Sequence, residues 1–236
     1  MPYGLADTAS SHHFCKMATY NIAKIAAATV MTLCSTASHG QTPVHDRLDV
    51  SGGIKAEATL SGFYFSEMQG VAIRNVMGGG ATLGGFVDMG ITSQFSIQCE
   101  LLMHYKSSDI ILNGTGNGIR YFGMEIPVYA IWRWPVCKSR ISAGIGPYTE
   151  FGLSARMKSP DGTRNLYEWT ESDDGLPIFD DSNTGFALIV GYEFNSGVQI
   201  NVAYKASITN MLDAYSDKVG VHPHALSVGI GYRFGK

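Results

Sequence analysis

Between residues 94 and 106 the side chains alternate with a period of two. Phe95, Ile97, Cys99, Leu101, Met103 and Tyr105 share one parity. Ser96, Gln98, Glu100, His104 and Lys106 share the other, with Leu102 alone out of place. Successive side chains of a strand point to opposite faces, so this stretch predicts a strand with one apolar and one polar face. The pattern returns seven more times. Residues 50–64 set Ile54, Ala56, Ala58 and Leu60 against Lys55, Glu57, Thr59 and Ser61, and residues 81–91 set Leu83, Val87 and Met89 against Thr82 and Asp88. Residues 121–134 set Phe122, Met124, Ile126, Val128, Trp132 and Trp134 against Glu125 and Arg133. Residues 140–158 oppose Ile141, Ala143, Ile145, Phe151 and Leu153 to Arg140, Glu150, Arg156 and Lys158. Residues 185–194 follow with Phe186, Leu188, Val190, Tyr192 and Phe194 against Glu193, and 198–208 with Val198, Ile200, Val202, Tyr204 and Ile208 against Gln199, Asn201 and Lys205. Residues 226–234 close the series with Leu226, Val228, Ile230, Tyr232 and Phe234 against Ser227 and Arg233.

All 14 Asp, Glu, Lys and Arg residues in these segments fall on the polar parity. A wall in lipid imposes that rule, because a charge on its lipid side costs several kcal/mol at mid-depth. A soluble sandwich alternates too, with its apolar face turned inward, so the connections must separate the two. Short ones lie near 91–94, 135–139 and 195–197; long ones run over about 66–78, 107–119, 159–183 and 211–224. Strict alternation of short and long turns is the habit of outer-membrane barrels, short turns in the periplasm and long loops outside. The aromatic residues agree. Phe95, Trp132, Trp134, Tyr192, Phe194, Tyr232 and Phe234 all fall at the short-turn ends and form one periplasmic girdle. The reading is all-β: an eight-stranded antiparallel up-and-down transmembrane barrel in the cell outer membrane, its outer surface in contact with lipid.

Composition narrows the alternatives. Glycine supplies 28 of 236 residues, well above the ordinary share of about 7 %, and charged residues only 16 %. No apolar run approaches the roughly 18 residues of a spanning helix. The near balance of 17 basic and 20 acidic residues disfavours a nucleic-acid partner.

Residues 1–40 read as an export signal with an upstream extension. Lys16 and Lys24 bracket Met17, a possible true start; an apolar stretch from Ile25 to Leu33 follows, then small and polar residues to Gly40. Leu33 is too large to precede a lipidated Cys34. Cleavage after Gly40 leaves a short periplasmic lead, 41–48, and a barrel, 49–236. Cys99 and Cys137 then remain, too few for a disulfide-stapled domain; both are expected as thiols, Cys99 outward in a strand and Cys137 in a turn.

Three stretches resemble the PorT-like outer-membrane barrels of Bacteroidetes: YFGMEIPVY at Tyr121–Tyr129, AGIGPYTEFGL at Ala143–Leu153, and the closing GIGYRF at Gly229–Phe234, reached through a strand ending Thr209-Asn210-Met211. The resemblance runs in order over about residues 50–235. It implies a barrel domain and a relation to protein secretion, and it keeps Pro127 and Pro147 inside strands. Neither proline has an amide to donate, so bulges or irregular pairing are expected at both.

Parity directs Lys55, Glu57, Asp88, Glu100, Glu125, Arg133, Arg140, Glu150, Arg156, Glu193, Lys205 and Arg233 into the lumen. Eight strands leave room only for side chains, and ions in that space must pair. A polar, filled, structural interior is expected, with a narrow ion path as the sharper alternative. The 159–183 connection carries Asp161, Glu168, Glu171, Asp173, Asp174, Asp180 and Asp181 against Arg164, with Tyr167, Trp169, Leu176 and Phe179 among them. Its acid spacing fits no calcium loop, so a solvated loop is expected and no metal. The aromatics suit an envelope or extracellular protein partner, or equally a loop packed on itself as a folded lid. His222 and His224 with Ser227 invite comparison with barrel lipid hydrolases, but parity sends Ser227 inward and His224 outward, and the histidines are expected in a loop. No catalytic residue and no cofactor is assigned. The function expected is non-enzymatic, carried by outer loops or envelope partners; the alternatives are a barrel enzyme acting on lipid, or a small-solute or ion channel.

Overall fold

A computed structural model describes residues 49–66, 73–112, 115–159, 162–167, 180–210 and 220–234. The expected export signal and periplasmic lead lie outside these residues, as do Asp161, Glu168, Trp169, Glu171, Asp173, Asp174, Leu176 and Phe179 of the acidic connection.

The strands are β1 (Asp49–Ser66), β2 (Ile73–Gly90), β3 (Phe95–Leu112), β4 (Thr115–Val136), β5 (Ser139–Ser159), β6 (Gly162–Asn165), β7 (Ser182–Glu193), β8 (Val198–Ser207) and β9 (Gly220–Arg233). Every pairing is antiparallel. The order β4-β3-β2-β1-β9-β8-β7-β5 is closed by β4 against β5, which makes an eight-stranded barrel; β6 is a short hairpin arm on the far end of β5. Passing from Tyr105 through Ala81, Ala58, Val228, Val202, Val190, Ala143 and Trp132 returns to β3 at Phe95, a stagger of ten residues. Such a stagger means tilted strands, and it decides which side chains meet across the lumen.

The faces are those of a wall in lipid. Ile54, Leu83, Val190 and Ile230 are 55–65 % exposed, whereas Lys55, Glu57, Glu100 and Glu125 are at most 4 % exposed. The girdle residues Trp132, Trp134, Tyr192, Phe194, Tyr232 and Phe234 are exposed at the short-turn ends, with Phe95 half-buried against Trp132 at 5.7 Å. Tyr192 stacks edge-on with Phe194 and Tyr232 with Phe234. A second outward set, Tyr64, Tyr105, Phe122 and Tyr204, lies toward the opposite ends of its strands.

Three expectations need correction. The strands run further outward than the alternation suggested, so that only residues 113 and 114 separate β3 from β4 where a long loop at 107–119 was expected. Beyond the bilayer neither face meets lipid, and hairpins continue there without the apolar parity. His222 and His224 for the same reason belong to β9 rather than to a loop. Arg156 does not enter the lumen. The β4–β5 register passes from Phe122↔Ser154 to Gly123↔Gly152, which leaves Leu153 as an extra residue. A bulge of one residue reverses the facing of everything after it. Ala155 therefore turns inward and is fully buried, while Arg156 and Lys158 are exposed.

The prolines behave differently from a bulge. At Pro127 two pairs drop out of the β3–β4 ladder, between Cys99↔Val128 and Leu102↔Glu125, with no change of register. At Pro147 two drop out of the β4–β5 ladder, between Pro127↔Tyr148 and Ala130↔Ile145, again in register. Gly146 sits in that second gap because the strands crowd there; a Cβ on it would lie 1.8 Å from the Val128 carbonyl oxygen.

Cys99 is half-buried on the outward side of β3, and Cys137 is an exposed free thiol in the tight turn between β4 and β5. Cys137 has φ 55°, a left-handed conformation that disfavours any side chain. Cys137→Gly is expected to stabilise the barrel by about 0.5–1 kcal/mol, read as a higher urea midpoint in lipid vesicles. An unchanged or lowered midpoint contradicts it.

Candidate functional site

Among the described residues the buried titratable side chains gather in the lumen, and they do so in layers. Nearest the short turns, β2, β4, β5, β7 and β9 bring together Asp88, Arg133, Arg140, Glu193 and Arg233. Arg133 donates to the Asp88 carboxylate and, through Nη1, to Ser96 Oγ at 2.6 Å. Arg233 joins the two acids of this layer: its Nη2 lies 3.6 Å from Asp88 and its Nε donates to Glu193 at 3.1 Å. Arg140 and Gln199 also donate to Glu193, at 2.6 and 3.0 Å. Phe86, 4 % exposed, lies beneath the Arg233 guanidinium with its ring centre 5.4 Å away.

The middle layer is built from lysines and glutamates. Lys55 lies 2.6 Å from Glu57 and donates to Glu100 at 3.0 Å, where Gln98 donates as well. Lys205 donates to Glu125 and stands 3.9 Å from Glu57. Lys106 bridges Glu125 and Glu150 at 3.2 Å each. Those two glutamates are direct partners across β4 and β5, a like-charge pairing that only an interposed cation makes tolerable. His104 stands at the same junction, its Nε2 2.9 Å from Glu150 and its Nδ1 3.8 Å from Glu125. Lys106 and His104 were missing from the network expected from sequence, although the alternation in β3 already put both on the inward parity.

Six cations, Lys55, Lys106, Arg133, Arg140, Lys205 and Arg233, thus meet six carboxylates, Glu57, Asp88, Glu100, Glu125, Glu150 and Glu193. Burying an ion without a partner costs several kcal/mol, so mutual neutralisation is what allows this interior to exist.

The third layer is apolar. Phe63, Ile119, Tyr121, Ala155, Leu166 and Val221 form a buried cluster at the far end of the lumen. Leu166 arrives from the segment after β6; its amide donates to the Ala155 carbonyl at 2.8 Å, and its side chain is 1 % exposed. Tyr167 packs over Gly152, and burial raises its phenol above the ordinary value. The hairpin arm therefore turns back into the barrel mouth. Low in the lumen, a cavity of about 30 Å³ lies among Lys55, Gln98, Arg133, Arg140, Glu193 and Arg233, space for about one water molecule.

The residues raised for hydrolysis are not brought together. Ser227 is 1 % exposed inside the lumen and hydrogen-bonds Thr59 at 3.0 Å. His222 and His224 face outward, beside Tyr64, Tyr204 and Ile208. Among the described residues no group of three or more His, Cys, Asp or Glu has a metal-holding arrangement.

No curated protein matches the chain. Among solved structures, it is similar to the outer membrane protein OprG of Pseudomonas aeruginosa, at 11 % identity over 82 % of this chain and 100 % of that one, TM-score 0.49. It is similar to Ail, the attachment invasion locus protein of Yersinia pestis, at 13 % identity over 79 % and 100 %, TM-score 0.42. It is also similar to the outer membrane enzyme PagL, at 11 % identity over 74 % and 98 %, TM-score 0.39. The family of outer membrane protein beta-barrel domains matches residues 25–234. With that match over most of its length, and with a wall apolar without and charged within, the chain belongs to the outer membrane protein beta-barrel domain family and resides in the cell outer membrane.

Proposed function

We propose that this barrel is neither a pore nor an enzyme but a membrane-held platform whose outer face engages an envelope or extracellular protein. The observation that carries the reading is the filled lumen. Twelve charges neutralise one another in two layers, and the apolar cluster around Leu166 lies across the far end. An ion entering that path must break a buried pair, which costs several kcal/mol at each layer. The hairpin arm at β5–β6 and the 159–183 connection it belongs to are the contact surface in this reading. The YFGMEIPVY and AGIGPYTEFGL stretches support a nearer kinship with PorT-like barrels of Bacteroidetes, and through it a role beside a protein-secretion apparatus; that step is an analogy of fold.

Two measurements test the proposal. The refolded chain in planar bilayers is expected to give no stepwise ion current; steady single-channel openings overturn the non-conducting reading. A photo-crosslinking amino acid at Thr163, exposed on the arm, is expected to trap one defined envelope or surface protein in intact cells, while the same group at Ile230 on the lipid face traps none. Equal trapping at both positions, or none at Thr163, overturns the platform reading.

A further inference from the structure

The bulge at Leu153 sends two cations out of the barrel. Arg156 faces outward directly opposite Arg120 of β4, and Lys158 follows opposite Gly118. Directly opposed side chains in an antiparallel pair have Cβ atoms about 4.5–5.5 Å apart, and like charges in that position repel. All three cations are exposed, and none has an ion-paired carboxylate among the described residues. Asp109 of β3, opposite Gly118, shares this face and offsets one charge of the three. The lumen neutralises its cations in ion pairs, which makes an Arg–Arg pair with no ion-paired carboxylate among the described residues informative.

Its depth says what can neutralise it. Phe122 lies two residues nearer the membrane on the same face of β4, 37 % exposed, and Tyr105 is its direct partner on β3, 47 % exposed. Outward aromatics mark the level where hydrocarbon gives way to headgroups. Arg120 and Arg156 stand about 7 Å farther along the strands, at the level of lipid phosphates. Two guanidinium forks side by side suit a phosphate monoester or diester, whose oxygens each accept paired N–H donors. We infer that Arg120, Arg156 and Lys158 form a binding site for the phosphate of an outer-leaflet phosphorylated lipid.

The probe is lipid A bisphosphate. The full chain, refolded in phosphatidylcholine vesicles doped with it and then released into mild detergent, is examined by native mass spectrometry for retained lipid. Wild type is expected to keep one such lipid, and R120A/R156A to retain it at least about tenfold less. Added salt should weaken retention in wild type more than in the double variant. K138A, which removes an exposed lysine in the turn at the opposite end, serves as control and should behave as wild type. Because the two arginines repel, the double variant is also expected to be no less stable in undoped vesicles, with its heat-dependent gel shift intact. Equal retention by wild type and double variant overturns the site, as does equal retention of a dephosphorylated lipid A. A barrel destabilised by R120A/R156A in undoped vesicles assigns the pair a structural role and overturns it as well.

Discussion

Glu125→Ala is expected to destabilise the barrel by about 3–5 kcal/mol, because it strands a buried ammonium. Glu125 is fully buried and takes hydrogen bonds from both Lys205 and Lys106. Lys106 keeps Glu150 at 3.2 Å, but Lys205 is left with Glu57 at 3.9 Å. The measurement is urea unfolding in lipid vesicles, followed by Trp fluorescence and by the heat-dependent gel shift. Removing both ends of the pair separates two accounts of the loss. If the cost is the uncompensated ion, Glu125→Met with Lys205→Met recovers most of it, since well-packed apolar replacements of buried ion pairs are often neutral. If the double variant is as unstable as the single one, the network around Lys106 and His104 depends on Glu125 in some further way. A single variant within about 1 kcal/mol of wild type removes the argument that neutralisation holds the lumen together.

Gly146→Ala is expected to prevent stable folding, at a cost of about 3 kcal/mol or more. The added Cβ would meet the Val128 carbonyl oxygen at 1.8 Å, its carbon at 2.8 Å and the Tyr129 Cα at 3.0 Å. All three are backbone atoms, so no side chain can swing aside. β4 and β5 would have to separate where the pairing at Pro127 and Pro147 is already interrupted. Gly79→Ala is the matched control: its Cβ meets nothing within 4 Å, and its gel shift and urea midpoint should match wild type. Normal folding of Gly146→Ala would mean that the gap between β4 and β5 is compliant.

The alternation in the sequence was enough to place the lumen side chains because lipid punishes one parity along the whole spanning length. Lys55, Glu57, Asp88, Glu100, Glu125, Arg133, Glu150, Glu193, Lys205 and Arg233 all lie buried inside, and Arg140 lies half-buried at its edge. Arg156 shows where that logic ends. One extra residue at Leu153 reverses its facing, and no local feature of SARMK announces it. The outer reaches of β3 and β4 carry no period-two signal for a related reason. Ser107–Leu112 and Thr115–Arg120 are held by each other's backbones, outside the zone where lipid enforces a period.

By itself the sequence determined that eight strands with one apolar and one charged face span a membrane, with short turns and aromatic residues at one end. Each of those properties is a contest between neighbouring residues and their solvent, and is settled locally. Which charge meets which was decided only by closure. Lys205 finds Glu125 across 80 positions, and Arg133 finds Asp88 across 45, because the ten-residue stagger of the strands brings them to one level. The paired Glu125 and Glu150 and the opposed Arg120 and Arg156 are products of register too, that of β4 against β5, where the extra residue at Leu153 decides which side chains face out. Register belongs to paired strands, so no single strand's sequence states it.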